Sequence, residues 1–348
     1  MGPLTQKRYE KSFFNNFRVD DTYKERDHVS MFEILIAQFI FATSPITPDH
    51  LYNGVDRSVM VQVVLPEGED LAHVVLLDQN NKLISKPAAI TEGQHDLLRR
   101  LPKINSLQNA AWVQLLIEGK PIGSPIVVEP LRSRLVPVVE EVSKDGGKTS
   151  YTKIVDWKDE AIDDEFEESI LNGWRVYEDK DAVIETSEGE IHIKLRPDAA
   201  PNTAWNFREL ADGGFYYETI FHRIVPLTNK GLPFVIQGGD PTGTGSGSSG
   251  WWLPIEPSSL QHDFGVISMA RAGDPDSAGC QFFICLSREG TARLDGQYCA
   301  FGETTLGQEV IKTIAETPID DPKTGRPKSP PKIHTIKMIP SAPRYPSR

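Results

Sequence analysis

The segments Phe221-His222-Arg223-Ile224-Val225-Pro226 and Phe234-Val235-Ile236-Gln237-Gly238-Gly239-Asp240 set one arginine and one glutamine among phenylalanines and aliphatics. Ile267-Ser268-Met269-Ala270-Arg271-Ala272, Gln281-Phe282-Phe283-Ile284 and Leu294-Asp295-Gly296-Gln297-Tyr298 continue that texture. None of them offers an activated nucleophile or a set of metal ligands. A dry pocket with one fixed cation and an amide suits binding and polarising a neutral substrate, and it does not suit hydrolysis. Phe282 and Phe283 are neighbours on a strand, so they face opposite ways and one of them must be core.

Other motifs carry less. Gly245-Ser246-Gly247-Ser248-Ser249-Gly250 has the letters of a dinucleotide loop, but such a loop opens a helix whose N-terminus holds the pyrophosphate. Here it runs into Trp251-Trp252-Leu253-Pro254, which opens no helix. Asp274, Asp276 and Gly279 match part of a calcium loop, yet Ala278 and Cys285 stand where oxygen ligands belong. The cysteines Cys280, Cys285 and Cys299 have no paired spacing and are expected as small buried hydrophobes. No metal and no cofactor is expected.

The elements that must position this chemistry sit in a chain of 348 residues with a formal charge of −12, 39% hydrophobic residues and 25% charged ones. That length suits two domains. The acidic balance argues against a nucleic-acid partner, which needs a basic face. No run reaches the roughly 18–20 apolar residues of a membrane span. The most apolar run, Met31 to Ala42, contains Glu33 and Gln38 and starts too far in for a signal peptide, so a buried strand or short helix is expected there. Three cysteines fit a cytoplasmic or a bacterial cell-envelope location alike.

From 57 to 129, alternating runs such as Val59, Val61 and Val63, then Leu71–Leu77, Trp112–Ile117 and Ile126–Val128, are split by Asn, Gly and Pro turns. They predict a β-sandwich-like domain of immunoglobulin-like size over 1–130. Residues 131–180 are expected as an acidic connector, with a loop at Val142–Ser150 and an amphipathic helix at Asp156–Leu171. From 181 to 340 the runs at 183–186, 190–195, 220–225, 233–237, 265–269, 281–286, 298–301 and 334–339 read as strands. Two helices are expected, one opening at Pro201-Asn202-Thr203 with Thr203 as N-cap and one at 308–316. This is a mainly β chain, its C-terminal part a barrel capped by helices, with 341–348 as a tail.

The order Phe-His-Arg, Gln-Gly-Gly-Asp-Pro-Thr-Gly-Thr-Gly, Ile-Ser-Met-Ala, Gln-Phe-Phe-Ile, Leu-Asp-Gly, Phe-Gly across 181–340 resembles the cyclophilins, the peptidyl-prolyl cis-trans isomerases, and looks closest to their bacterial forms. The resemblance implies an eight-stranded antiparallel barrel with two helices and isomerase activity on Xaa-Pro peptides and folding chains. It also implies the site residues. Arg223 would be catalytic, with Gln237 beside it and Gln281 near the substrate backbone. Phe234, Phe283 and Leu294 would wall the proline pocket, with Val235 in the place of a usual methionine. Ala270 and Ala272 would lie on the strand that pairs with the peptide, and Tyr298 at the rim.

The chemistry agrees with those assignments. Rotation about an Xaa-Pro bond is opposed by amide resonance, a barrier of roughly 18–20 kcal/mol. When the bond is half turned, the prolyl nitrogen pyramidalises and its lone pair can accept a hydrogen bond. A guanidinium aimed there binds the twisted state better than either planar one. Two departures from the family stand out. Leu227 to Pro233 is an insertion beside the pocket, and Arg293 replaces a tryptophan that in many eukaryotic forms contributes to cyclosporin binding. The rival readings are a non-catalytic scaffold for proline-containing segments and an envelope assembly module acting through the N-terminal half.

Overall fold

The computed structural model describes residues 44–132, 134–144, 149–159 and 172–347. The expected element at Met31 to Ala42 and most of the expected acidic helix lie outside these residues. Among the described residues, no helix is long and apolar enough to cross a membrane.

The C-terminal part is one antiparallel sheet closed on itself. Its hydrogen-bonding order is Thr219–Ile220, Lys332–Pro340, Lys180–Thr186, Gly189–Leu195, Ala300–Leu306, Val266–Met269, Phe282–Cys285, Val235–Gly238 and Arg223–Val225. The first and last of these nine strands belong to one chain segment, 219–225, so eight segments go round the barrel. A bridge from Ile220 to Asp240 closes the seam.

Strict alternation decides what each strand shows to the core. Ile224 pairs with Ile236, Ile236 with Ile284 and Ile284 with Ile267, a row of isoleucines across four strands. All four are fully buried inside the barrel. Each contributes about 1.5–3 kcal/mol of apolar burial. Phe282 turns inward with them, edge-on to Phe207 at 5.6 Å. Helix Pro201–Asp212 brings Phe207, Leu210 and Ala211 to this core, and helix Gln308–Ala315 brings Ile311 and Ile314.

The first helix does not begin as the sequence implied. Ala200 is its N-cap and Pro201 its first residue. Thr203 lies within the first turn, where its N–H and hydroxyl both donate to Glu256 Oε2 at 2.8 Å. Glu256 Oε1 takes the Asn202 N–H at 3.0 Å. A carboxylate from a distant loop replaces the local cap, because it satisfies two orphan amides and favours the positive helix end.

Two sheets precede the barrel. One has three strands, Ile46–Pro48, Met60–Val63 and Gly93–Asp96. The other has six, with Ala72–Leu77, Ala111–Ile117 and Lys120–Pro130 at its centre. Val61 and Val63 from the first share a core with Val74, Val113, Leu115 and Val128 from the second. Strand Gly173–Glu178, which the sequence placed in the connector, pairs with Lys120–Pro130 in that second sheet. Residues 341–347, read as a tail, lie on the same sheet. Ser124 donates to Ser341 O at 2.7 Å, the Arg344 N–H donates to Gln114 Oε1 at 2.8 Å, and the Arg344 guanidinium stacks on Trp112 at 3.7 Å.

The connector also departs from expectation at its centre. Leu135–Lys144 and Thr149–Asp159 pair as antiparallel strands, so Val142–Lys144 and Thr149–Ser150 of the expected loop are strand, and the rest of that loop lies outside the described residues. Asp156, Trp157, Lys158 and Asp159 continue the second strand rather than opening a helix. Tertiary packing explains the difference: Ile154 and Trp157 sit against the barrel core, and a bulge at Val155, between Ile154 and Asp156, brings these two residues, three apart, to one face of the strand. The free edge of this strand is met by a side chain. Gln297 accepts from the Ile154 N–H and donates to its carbonyl, both at 2.9 Å.

Candidate active site

The register that turns the isoleucines inward turns a second row outward. Arg223 pairs with Gln237, Gln237 with Phe283 and Phe283 with Ser268. Directly paired residues on neighbouring strands share a face, so cation, amide and aromatic ring stand side by side on the outside of the barrel. A second apolar cluster covers this face: Val235, Val266, Phe283, Cys285, Leu294 and Ala300, flanked by Phe234, Ala270 and Tyr298. Phe283 and Tyr298 meet edge to face at 5.7 Å.

Arg223 is held by a relay of amides. Its Nη1 donates to Gln237 Oε1 at 3.1 Å, and Gln237 Nε2 donates to Gln281 Oε1 at 3.1 Å. Gln281 Nε2 in turn donates to the carbonyls of Gly247 at 2.9 Å and Gly245 at 3.2 Å. The glycine loop rejected above as a nucleotide loop therefore has a structural task. Asp240 shapes it, accepting from the Thr242 N–H at 2.7 Å and from the N–H groups of Gly245 and Gly247. A Cβ at Gly247 would lie 2.0 Å from Asp240 Oδ1, so a side chain there would displace the carboxylate that holds the loop. Burial alone would raise the Asp240 pKa, but these hydrogen bonds hold it below the ordinary value. Burial and the nearby Arg293 bring Arg223 below its usual value, which leaves a guanidinium still protonated at neutral pH.

Behind the pocket lies a support that the sequence reading missed. His262 stacks on Phe283 with centroids 6.0 Å apart and an interplanar angle of 17°. Its ring nitrogens bond Asp295 Oδ1 at 3.0 Å and Ser268 Oγ at 2.9 Å. Burial keeps the His262 pKa below the usual histidine value. Asp295 also receives the His262 N–H at 2.8 Å and a charge-assisted bond from Arg288 at 2.5 Å. Despite its burial, these donors bring the Asp295 pKa down to about 2. The signal was present in the Leu-Asp-Gly triplet, but only tertiary structure brings His262 to it.

Of the expected site residues, Arg223, Gln237 and Gln281 meet in one relay, and Phe234, Val235, Phe283, Leu294 and Tyr298 in the adjoining apolar cluster. Ala270 and Ala272 lie just past strand Val266–Met269, not within it. Their N–H groups donate inside the protein, to Gln281 O at 2.8 Å and to Ser277 Oγ at 2.9 Å. The insertion 227–233 is tied down at its base, where Ser287 donates to Pro233 O at 2.8 Å. A cavity of about 1030 Å³ lies elsewhere; Glu129, Arg175, Trp205 and Glu256 are among its walls. Its buried Arg175 pairs with Glu129 rather than facing a ligand unneutralised.

Comparison with known proteins matches residues 182–338 to the family described as cyclophilin type peptidyl-prolyl cis-trans isomerase/CLD. The Neurospora crassa peptidyl-prolyl cis-trans isomerase-like 1 is 40% identical over 164 residues, 46% of this chain and 94% of that protein. A Synechococcus elongatus peptidyl-prolyl cis-trans isomerase is 42% identical over 133 residues, 38% of this chain and 85% of that protein. With a longer relative, the Rhizopus delemar isomerase-like 2, the match spans 28% of the relative's length. A Cryptosporidium parvum cyclophilin crystallised in the presence of the dipeptide Ala-Pro is 34% identical, with 45% of this chain and 96% of that one covered and a TM-score of 0.40. The chain belongs to the cyclophilin-type peptidyl-prolyl cis-trans isomerases, through its C-terminal barrel. It is an isomerase by family. The relatives named here include two fungal proteins and one cyanobacterial, hence bacterial, protein at similar identity, so the likeness does not single out the bacterial forms.

Proposed function

We propose that the chain isomerises Xaa-Pro bonds in peptides and folding proteins, with Arg223 donating to the prolyl nitrogen as the bond twists. The observation that carries this reading is the relay Arg223–Gln237–Gln281 alongside an apolar cluster on one barrel face. Phe234, Val235, Phe283 and Leu294 would seat the proline ring and exclude water, with Tyr298 closing the rim. With the ring fixed, the carbonyl side of the bond turns. Gln237 orients the guanidinium and Gln281 orients Gln237, while the segment Ala270–Ala272, whose two alanine N–H groups are already engaged within the protein, would flank the peptide.

Preorganisation is what makes this catalysis. A guanidinium already fixed by an amide needs no reorganisation as the nitrogen pyramidalises, and no covalent bond forms. The hydrogen bond gains strength only in the twisted state, which is the condition for raising kcat. A scaffold would need the apolar cluster but not a held, carboxylate-free arginine, and that favours the enzyme. The dipeptide Ala-Pro present with the Cryptosporidium relative fits a proline-containing ligand. The test is exchange spectroscopy on a blocked Ala-Pro peptide with the full chain. Catalytic amounts should speed an exchange that otherwise takes tens of seconds or more. Binding without acceleration would favour the scaffold.

A further inference from the structure

The rim of the proline pocket is cationic, although the chain as a whole carries −12. Arg293 is exposed and lays its guanidinium over the Phe234 ring, 4.6 Å from the centroid. Arg271 does the same over Tyr298, also at 4.6 Å. Each ring belongs to the apolar cluster beside Arg223. Three guanidinium groups thus stand beside one apolar cluster.

Their charges are not cancelled within the protein. Among the described residues, no carboxylate lies within ion-pair distance of Arg223, Arg271 or Arg293. Arg223 has an amide oxygen at 3.1 Å. The Arg271 Nε and Nη2 donate to Gln297 O at 3.1 and 2.9 Å, and its Nη1 donates to Ala272 O at 3.0 Å. Carbonyls occupy these N–H groups but do not neutralise the cation. Asp274 acts on Arg271 only through space. The nearest acid of the Leu-Asp-Gly turn, Asp295, is already taken by Arg288 and His262. Stacking fixes Arg293 on a ring at little further cost in side-chain entropy, and among the described residues no hydrogen bond occupies its N–H fork.

We propose that the preferred substrates are peptides with Asp or Glu within two residues of the proline. This rests on the isomerase reading above and names its substrate class. The carboxylate is recognised at the rim by Arg293, supported by the field of Arg271, while the proline ring fills the neutral interior. A lysine at the same place meets like charge and is disfavoured.

The experiment measures kcat/KM for the full chain on end-blocked Ala-Xaa-Pro-Ala and Ala-Ala-Pro-Xaa, with Xaa as Glu, Gln or Lys. The order Glu, Gln, Lys is expected in at least one series, with Glu over Lys by about tenfold at low salt, shrinking toward twofold at high salt. Arg293→Glu should invert the order and Arg293→Gln should flatten it. Equal rates for Glu and Lys peptides, or an order that Arg293→Glu leaves unmoved, would overturn the proposal while leaving the isomerase reading intact. Failure to accelerate any of the peptides would overturn both.

Discussion

Replacing Gln297 with alanine should loosen the hairpin and the pocket rim together. Gln297 completes the outer edge of strand Thr149–Asp159 at Ile154, through two bonds of 2.9 Å. Ile154 is only 5% exposed and belongs to the barrel core, so its N–H and C=O would be left with little access to water. An unsatisfied buried backbone group costs about 1–3 kcal/mol. With one of the two reached by solvent after the side chain is cut back, one such penalty remains and the loss is about 1–3 kcal/mol. Gln297→Glu gives a sharper test. It keeps the acceptor for the Ile154 N–H but sets a carboxylate oxygen against the Ile154 carbonyl, so it should destabilise at least as much as alanine. Urea unfolding of the full chain reads both, with hydrogen exchange at the Ile154 amide as a local report. Arg271 grips the Gln297 carbonyl and Tyr298 follows it, so KM should rise more than kcat falls. A change below about 0.5 kcal/mol in both variants would show that the hairpin is merely apposed to the barrel.

Three further outcomes follow from the same contacts. A fragment of residues 181–340 should fold and isomerise peptides alone, yet melt below the full chain, because it lacks Ile154 and Trp157; an insoluble fragment would show that the hairpin is indispensable to the barrel core. Burial, with repulsion from Asp179, raises the Asp181 pKa to about 6. The unfolded value is about 3.9, so its folded state is favoured by protonation at low pH and loses that stability as pH rises between the two values. Asp181→Asn should therefore exceed the wild type by about 1–2 kcal/mol above pH 7 and match it below pH 4, read as melting temperature against pH; an equal offset at every pH would refute this. Arg293 puts a hydrated charge on the rim where a flat indole would stack, so cyclosporin should inhibit weakly and Arg293→Trp should restore inhibition in the isomerase assay; tight inhibition of the unmodified chain would contradict it.

The sequence made the barrel legible because its strands alternate strictly, and register then dictates the site. Once Ile224, Ile236, Ile284 and Ile267 face inward, Arg223, Gln237, Phe283 and Ser268 must face outward together. What escaped was carried by distant contacts. The helix cap on Thr203 comes from Glu256, the ring behind Phe283 from His262, and the edge of the hairpin is met by Gln297. None of these pairs is close in sequence, and none shows a periodicity. The acidic stretch from Asp156 illustrates the opposite failure. Its apolar residues have helical spacing, yet the described part is a strand because Ile154 and Trp157 pack on a neighbouring core that local pattern cannot reveal. The glycine loop at 245–250 was legible as a loop, but its task, presenting two carbonyls to Gln281, needed the fold.

The central claim is that a held guanidinium, not the apolar pocket alone, speeds isomerisation. Comparing wild type, Arg223→Ala and Arg223→Lys on a blocked Ala-Pro peptide tests it most directly, with peptide binding measured alongside. Loss of one preorganised donor should lower kcat/KM by roughly 10²–10³-fold. Binding should weaken far less, because the walls at Phe234, Phe283 and Leu294 remain. Lysine should recover little, since its single ammonium lacks the planar fork that Gln237 orients. Near-wild-type turnover by Arg223→Ala, in a protein that still binds the peptide, would contradict the account.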